Sequence, residues 1–194
     1  MRIAIGTLLL CVFFFTACSS PAPIAESSED YPLDTRTGNP DVDPVLAAVA
    51  SGNPEELRAL IQYTNAPCTR AEGLGGPPKC REGEIDGTML EVLPMLDSEG
   101  GFLRKEEISN WKGIDPIALY AVYRVSPNAL NEQYYPQGDF IAFYMAGEDQ
   151  TAIALHIADG RIVRVDNIYG VFPDSLKSII ERDASEVILA PKSR

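Results

Sequence analysis

Apolar residues at helical spacing predict two short helices at the start of the folded part of the chain. Asp43, followed by proline, is a typical helix start, because the carboxylate can cap the first turn and proline fits the first helical position. The apolar stripe of this helix ends before Gly52. Asn53 caps a second helix, whose apolar stripe runs to Ile61.

From residue 88 onward the pattern changes to β-branched, aromatic and other apolar residues in runs typical of strands. Predicted strands cover residues 88–93, 117–125, 140–145, 151–158 and 161–167. Asp159 and Gly160 form a hairpin turn between the last two. A C-terminal helix over residues 176–182 precedes a short strand at 187–189. This order predicts an α+β domain, with the N-terminal helices and the C-terminal helix packed on one face of a curved antiparallel sheet.

The hairpin also carries a family resemblance. After two helices and a series of meandering strands, its sequence is Ala158-Asp159-Gly160-Arg161-Ile162-Val163-Arg164-Val165. This arrangement resembles the end of the nuclear-transport-factor-2-like fold, in which an acidic-Gly turn, a basic residue and Ile join the last strands. The resemblance implies a cone-like sheet that can enclose a pocket.

The beginning of the chain resembles a bacterial lipoprotein signal. Residues 3–17 carry no charge, and these 15 residues are fewer than the roughly 20 needed to span a bilayer as a helix. Small residues then precede Cys18, although Phe15 stands where the family usually has Leu or another aliphatic residue. The resemblance implies cleavage after Ala17, lipid on Cys18, and a position on the extracytoplasmic face of the cell membrane or outer membrane. An ordinary secreted protein and an uncleaved anchor helix are the alternatives.

The chain therefore divides into three predicted regions. Residues 1–17 form the signal peptide, and residues 18–40 form a tether with few large apolar residues in any regular pattern. Residues 41–194 are long enough for one α+β domain with a core of its own.

The charge balance excludes some partners. The chain has 28 acidic and 16 basic side chains, which gives a formal net charge of −12. Nucleic-acid binding is not expected, because phosphates are bound through Lys and Arg. A basic patch that lies on anionic lipid is not expected either, so the predicted attachment to the membrane is through the lipid anchor.

The four cysteines have different predicted fates. Cys11 leaves with the signal and Cys18 carries the lipid, so Cys68 and Cys80 remain to form a disulfide outside the cytoplasm. Eleven residues separate this pair, which is too many for a typical redox motif, and one histidine in the chain is too few for a typical zinc site. We predict no metal and no cofactor. The bridge either has only a structural role or presents residues 73–78 as a rigid loop for a partner.

His156 is the residue whose type suits acid–base chemistry near neutral pH. A regular hairpin register places it opposite Val163, and places Arg164 and Asp166 at the far end of the other face. His156, Arg164 and Asp166 are candidate pocket residues. The alternatives are a half-buried histidine bonded to a backbone carbonyl and a solvent-exposed Arg–Asp pair at the end of a strand.

Two adjacent aromatic residues, Tyr134 and Tyr135, lie in a segment with no regular pattern and form a candidate contact surface. No common catalytic or nucleotide-binding motif is present. We therefore expect a membrane-anchored extracytoplasmic lipoprotein with a non-catalytic domain that binds an envelope protein or another ligand. The alternative is a small-molecule-binding protein or enzyme with a pocket in a cone-like sheet, which requires a deep cavity with the candidate pocket residues pointing into it.

Overall fold

The computed structural model describes residues 30–96, 101–129, 133–147 and 151–192. The predicted signal peptide, Cys18 and residues 18–29 of the predicted tether lie outside this part of the chain. Within it, no helix has the length and apolar character needed to cross a membrane.

The α-helices of the described residues occur where the sequence predicts them, but the Asp43 carboxylate does not cap the first one, whose N-cap is Val42 without a side-chain cap bond. Helix α1 covers Asp43–Ser51 and ends at Gly52, which adopts a left-handed conformation with φ 64°. Helix α2 covers Pro54–Ala59, and the Asn53 side chain accepts a hydrogen bond from the Glu55 amide at its start. A 3-10 helix covers Lys105–Asn110, and helix α3 covers Asp174–Asp183.

Eight strands within the described residues form one sheet. They are β1 (Thr64–Pro67), β2 (Met89–Leu96), β3 (Gly101–Arg104), β4 (Pro116–Val125), β5 (Phe140–Ala146), β6 (Thr151–Ala158), β7 (Arg161–Ile168) and β8 (Ala184–Leu189). The order is β1-β2-β7-β6-β5-β4-β8, and β3 pairs with β2. A large sheet with few helices is compatible with the predicted α+β class.

Two features of the sheet differ from the prediction. Strands β1 and β3 were not predicted, since each has only four residues. The pairing of β2 with β7 is parallel, whereas the other strand pairs are antiparallel. This parallel pair joins the first half of the sheet to the predicted hairpin.

The helices cover both faces of the sheet, which corrects the prediction that they share one face. Along β5, Phe140 and Ala142 belong to the core cluster that contains the buried residues of α1 and α2. Ile141 and Phe143, which alternate with them, belong to a second cluster that contains Leu176 of α3. A nearly continuous apolar run such as that of β5 is typical of a strand buried on both faces.

The domain also begins earlier than residue 41, where the sequence placed its boundary. Tyr31 pairs with Leu119 of β4 through two backbone hydrogen bonds of 2.9 and 3.0 Å. Its hydroxyl donates to the carbonyl of Ala190 at 3.0 Å. Thr37 donates to the Asp43 carboxylate from both its amide and its hydroxyl, each at 2.8 Å. Residues 31–40 are therefore part of the fold.

Candidate functional site

A β-bulge decides which side chains meet at the end of the β6–β7 hairpin. Ile157 pairs with Ile162, but His156 pairs with Arg164, so that Val163 is an extra residue on β7. The regular register placed Val163 opposite His156 and is wrong by one residue. Because side chains alternate between faces, this shift moves Arg164 and Asp166 to the face that carries His156.

The three candidate pocket residues form one buried ionic cluster. The Arg164 guanidinium donates to both carboxylate oxygens of Asp166, with Nε–Oδ1 2.6 Å and Nη2–Oδ2 2.5 Å. The Nε2 atom of His156 lies 3.1 Å from Oδ2 of the same carboxylate. Exposure is 2% for His156, 6% for Arg164 and 8% for Asp166. Such a two-pronged pair is among the stronger hydrogen-bonded contacts in proteins.

Asp166 is ionised in this cluster. Burial raises the pKa of its carboxyl, but the positive charges and hydrogen bonds of His156 and Arg164 outweigh burial and leave that pKa lowered. The carboxylate therefore accepts hydrogen bonds and donates none.

The same cluster holds residues 135–137 against the sheet. The Nδ1 atom of His156 lies 2.9 Å from the carbonyl oxygen of Gln137. Arg164 donates from Nη1 to the carbonyl oxygen of Tyr135 at 3.5 Å. Both ring nitrogens of His156 thus face acceptors, an arrangement that the doubly protonated ring satisfies completely.

Of the two predicted contact residues, Tyr134 is partly exposed and Tyr135 is 4% exposed. The Tyr135 ring packs against Phe102 of β3 with centroids 5.0 Å apart. Its hydroxyl donates to the carbonyl of Gly76 at 3.4 Å. Tyr135 therefore joins the buried cluster to the segment between the two cysteines.

Cys68 and Cys80 form the predicted disulfide, with an S–S distance of 2.01 Å and a Cα–Cα distance of 4.9 Å. Backbone hydrogen bonds from Thr69 to Pro78 and from Cys80 to Thr69, at 2.8 and 2.9 Å, close the base of the loop. We call residues 73–79 the cysteine loop. Leu74 near its tip is 76% exposed.

A groove of about 460 Å³ separates the cysteine loop from β3. Its remaining lining residues come from the residue after Cys80, from β3, from the neighbouring 3-10 helix and from the predicted contact segment: Arg81, Gly101, Phe102, Arg104, Glu107 and Tyr135. We call this the cysteine-loop groove. It brings together two features that the sequence treated separately, the disulfide loop and Tyr135.

Arg104 fixes the cysteine loop to the sheet. This side chain is 5% exposed and donates to the two carboxylate oxygens of Glu84 at 2.5 and 2.8 Å, and to the Lys79 carbonyl at 2.9 Å. The Arg104 hydrogen bond, helped by the Arg81 amide, lowers the pKa of Glu84 to about 2. Arg81 in turn pairs with Glu107. The charges around the groove are therefore largely paired.

The buried cluster lies apart from the two hollows described for this part of the chain. Neither the cysteine-loop groove nor a second hollow of about 340 Å³ beside residues 136–138 is lined by His156, Arg164 or Asp166. A general base needs a ring nitrogen within reach of a substrate proton, and both nitrogens of His156 contact protein atoms.

A metal centre fits the described residues poorly. Cys68, Cys80 and Glu84 have ligand-type atoms within 4.8 Å of one another. However, the two sulfurs are bonded to each other, and Arg104 and the Arg81 amide bind the Glu84 carboxylate. A thiolate is the form of cysteine that binds metal, so this donor set is blocked while the disulfide is intact.

Comparison with family models, with characterised proteins and with solved structures finds no match to this chain. Function must therefore be inferred from the chain's own residues. Three of those that matter were not singled out from the sequence, namely Phe102, Arg104 and Gln137. A buried-facing arginine in a four-residue strand gives no recognisable pattern, and Gln137 takes part through its backbone carbonyl, which any residue has.

Proposed function

We propose that the protein is a membrane-anchored extracytoplasmic lipoprotein whose domain is a non-catalytic binding module, and that the cysteine-loop groove is its binding site. The observation that supports this best is that both sides of the groove are held by buried or covalent contacts. Arg104 and the disulfide hold the cysteine loop, and Arg164 and His156 hold the segment that carries Tyr135. Preformed, rigid sites bind with a smaller entropic cost than mobile ones.

The occupant we propose is an extended segment of an envelope protein with little net charge. The groove offers the aromatic rings of Phe102 and Tyr135. Most of its charged side chains, namely Arg81, Arg104 and Glu107, are already in ion pairs. Among the described strands, β3 pairs with β2 alone, so its other edge can add an extended chain through backbone hydrogen bonds. Leu74 at the rim supplies an exposed apolar contact.

Site-specific photocrosslinking in intact cells tests the binding site. A benzophenone amino acid replaces Leu74 at the groove, or Val187 on β8, which is 55% exposed and lies at the other end of the strand order. We expect a discrete protein adduct from position 74 that is absent from position 187 and is lost when Phe102→Ala is added. An adduct of equal yield from both positions, or one that survives Phe102→Ala, contradicts the proposal.

The lipid anchor has its own test. A fatty-acid analogue should label the wild-type chain and leave Cys18→Ser unlabelled, and the variant should be released from the membrane fraction. Retained label together with retained membrane attachment in Cys18→Ser contradicts lipidation at this residue.

The alternative function, a small-molecule-binding protein or enzyme, depends on the cone-like sheet implied by the family resemblance. It requires His156, Arg164 and Asp166 to face a cavity. Their burial and their hydrogen bonds to one another and to residues 135–137 favour the binding module instead.

A further inference from the structure

We propose that the protonated ring of His156 is a latch that positions Tyr135 in the cysteine-loop groove, and that loss of its proton opens the latch. The binding role of the groove rests on the function proposed above, whereas the latch itself is a property of the domain. His156 is a positioning residue in this scheme, because it acts on the groove through residues 135–137.

The two hydrogen-bond contacts of the ring are both satisfied when it carries two protons. The Nδ1 atom faces the Gln137 carbonyl at 2.9 Å and Nε2 faces the Asp166 carboxylate at 3.1 Å. A backbone carbonyl can only accept, and the ionised carboxylate also only accepts. The ring therefore donates to both partners only as imidazolium.

The neutral ring can keep one of these two bonds. The bond to Asp166 joins the ring to an ionised acceptor, which is the stronger type, so we expect the remaining proton on Nε2. The Nδ1 lone pair then faces the lone pairs of the Gln137 carbonyl, and this contact becomes repulsive. Loss of one proton thus breaks the hydrogen bond between His156 of β6 and the Gln137 carbonyl.

Few other titratable groups face the His156 ring. Strand β7 contributes Arg164 and Asp166, and these two charges face each other. Across the ladders, β5 places Ile141 opposite His156, and β2 places Leu96 opposite Asp166. Within the described chain, the charges that act on Asp166 are those of His156 and Arg164. Of the three side-chain types in this cluster, imidazole is the one whose ordinary pKa lies near neutral pH.

Tyr135 transmits the state of the latch to the groove. It lies two residues before Gln137, its ring packs on Phe102 and its hydroxyl donates to Gly76 of the cysteine loop. Once the bond to Gln137 is lost, the cluster contacts this segment through the 3.5 Å hydrogen bond from Arg164 to the Tyr135 carbonyl. The aromatic wall of the groove is then held less firmly.

Hydrogen exchange measured by mass spectrometry on the full chain in detergent tests the latch without any ligand. After correction for the intrinsic pH dependence of exchange, we expect protection of a peptide that covers residues 133–139 to fall about tenfold between about pH 5.5 and about pH 8, because one charge-assisted hydrogen bond is lost. A peptide from β5 should keep its protection and serves as the internal control.

Two variants separate the latch from general packing. In His156→Asn the side-chain amide takes the place of Nδ1 and can donate to Gln137, so we expect strong protection at both pH values. In His156→Gln the amide takes the place of Nε2 and donates to Asp166, so we expect weak protection at both. Unchanged wild-type protection between the two pH values, or a pH-dependent loss that persists in His156→Asn, overturns the latch. If His156→Gln does not fold, wild type and His156→Asn alone decide.

The latch and the binding function can fail separately. If protection of residues 133–139 depends on pH but position 74 gives no adduct, the latch is supported and the groove is rejected as a protein-binding site. If the adduct forms in equal yield at the two pH values and protection of residues 133–139 does not change, the groove is supported and the latch is rejected.

Discussion

His156 and Arg164 lie opposite each other on β6 and β7, although a regular hairpin register would put Val163 in that place. The extra residue turns a strand-end ion pair into a buried one, because it moves Arg164 and Asp166 to the side of the sheet on which residues 135–137 pack. A local irregularity of one residue thus builds the contact that supports one wall of the groove.

Replacing Asp166 by Asn should be strongly destabilising. The substitution leaves Arg164 buried without its counter-charge, which typically costs about 3–5 kcal/mol of unfolding free energy. Urea unfolding at neutral pH measures the change. Asp174→Asn is the matched control, since Asp174 pairs with Lys177 on the surface and should change stability by less than about 0.5 kcal/mol. Similar losses of unfolding free energy in the two variants would show that the buried ion pair stabilises the fold no more than the surface pair does.

Much of the fold could be predicted because it depends on local signals. Helix α1 has a proline in its first turn and ends at a glycine, and the long strands are marked by apolar runs. The short strands β1 and β3 could not be predicted, because four residues carry no clear period and their pairing with β2 is a tertiary contact. The parallel pairing of β2 with β7 was missed for the same reason.

The candidate site could be predicted only in part. Residue type points to His156, Arg164 and Asp166, and an irregular aromatic segment points to Tyr135. Their meeting depends on the bulge at Val163, and no turn or glycine signal marks it in the sequence. The cysteine loop reaches Tyr135 through contacts between residues 59 positions apart, which spacing cannot reveal.

Glu84 should stabilise the fold down to unusually low pH. Its pKa falls from 4.5 to about 2, chiefly through the hydrogen bond from Arg104. Because the folded value lies below the unfolded one, this contribution is complete above about pH 4.5 and is lost as the pH falls towards 2. We expect the difference in stability between wild type and Glu84→Gln to shrink over that window, as followed by urea unfolding. A difference that stays constant from neutral pH down to about pH 2 would contradict the assignment.

The disulfide should stabilise the domain and also hold the groove in shape. Replacing Cys68 and Cys80 together by Ser should lower the unfolding free energy by about 3 kcal/mol, since the open loop gains freedom mainly in the unfolded chain. Under the proposed function, the Leu74 adduct per folded molecule should also fall, because the cysteine loop loses its fixed position. Reduced wild type is the control. Lower stability with an unchanged adduct per folded molecule would mean that the bridge has only a structural role.

Gly138 should be intolerant of any side chain. It has φ 69°, and a Cβ there would lie 2.6 Å from the carbonyl oxygen of Ile157 on β6. Gly75 is the matched control, because it has φ 72° and nothing within 4 Å of the position of an added Cβ. Gly75→Ala should cost about 1–2 kcal/mol from backbone strain alone, and Gly138→Ala about 1–3 kcal/mol more from the clash. Urea unfolding measures both.

Gly138→Ala also tests the latch. Gly138 directly follows Gln137, and the Asp139 amide donates to the Ile157 carbonyl at 2.7 Å, so the close approach at Gly138 seats residues 135–139 on β6. Gly138→Ala should push this segment away and lower hydrogen-exchange protection of residues 133–139 at both about pH 5.5 and about pH 8. Normal, pH-dependent protection in a folded Gly138→Ala would mean that the His156 contact holds the segment without help from the backbone beside it.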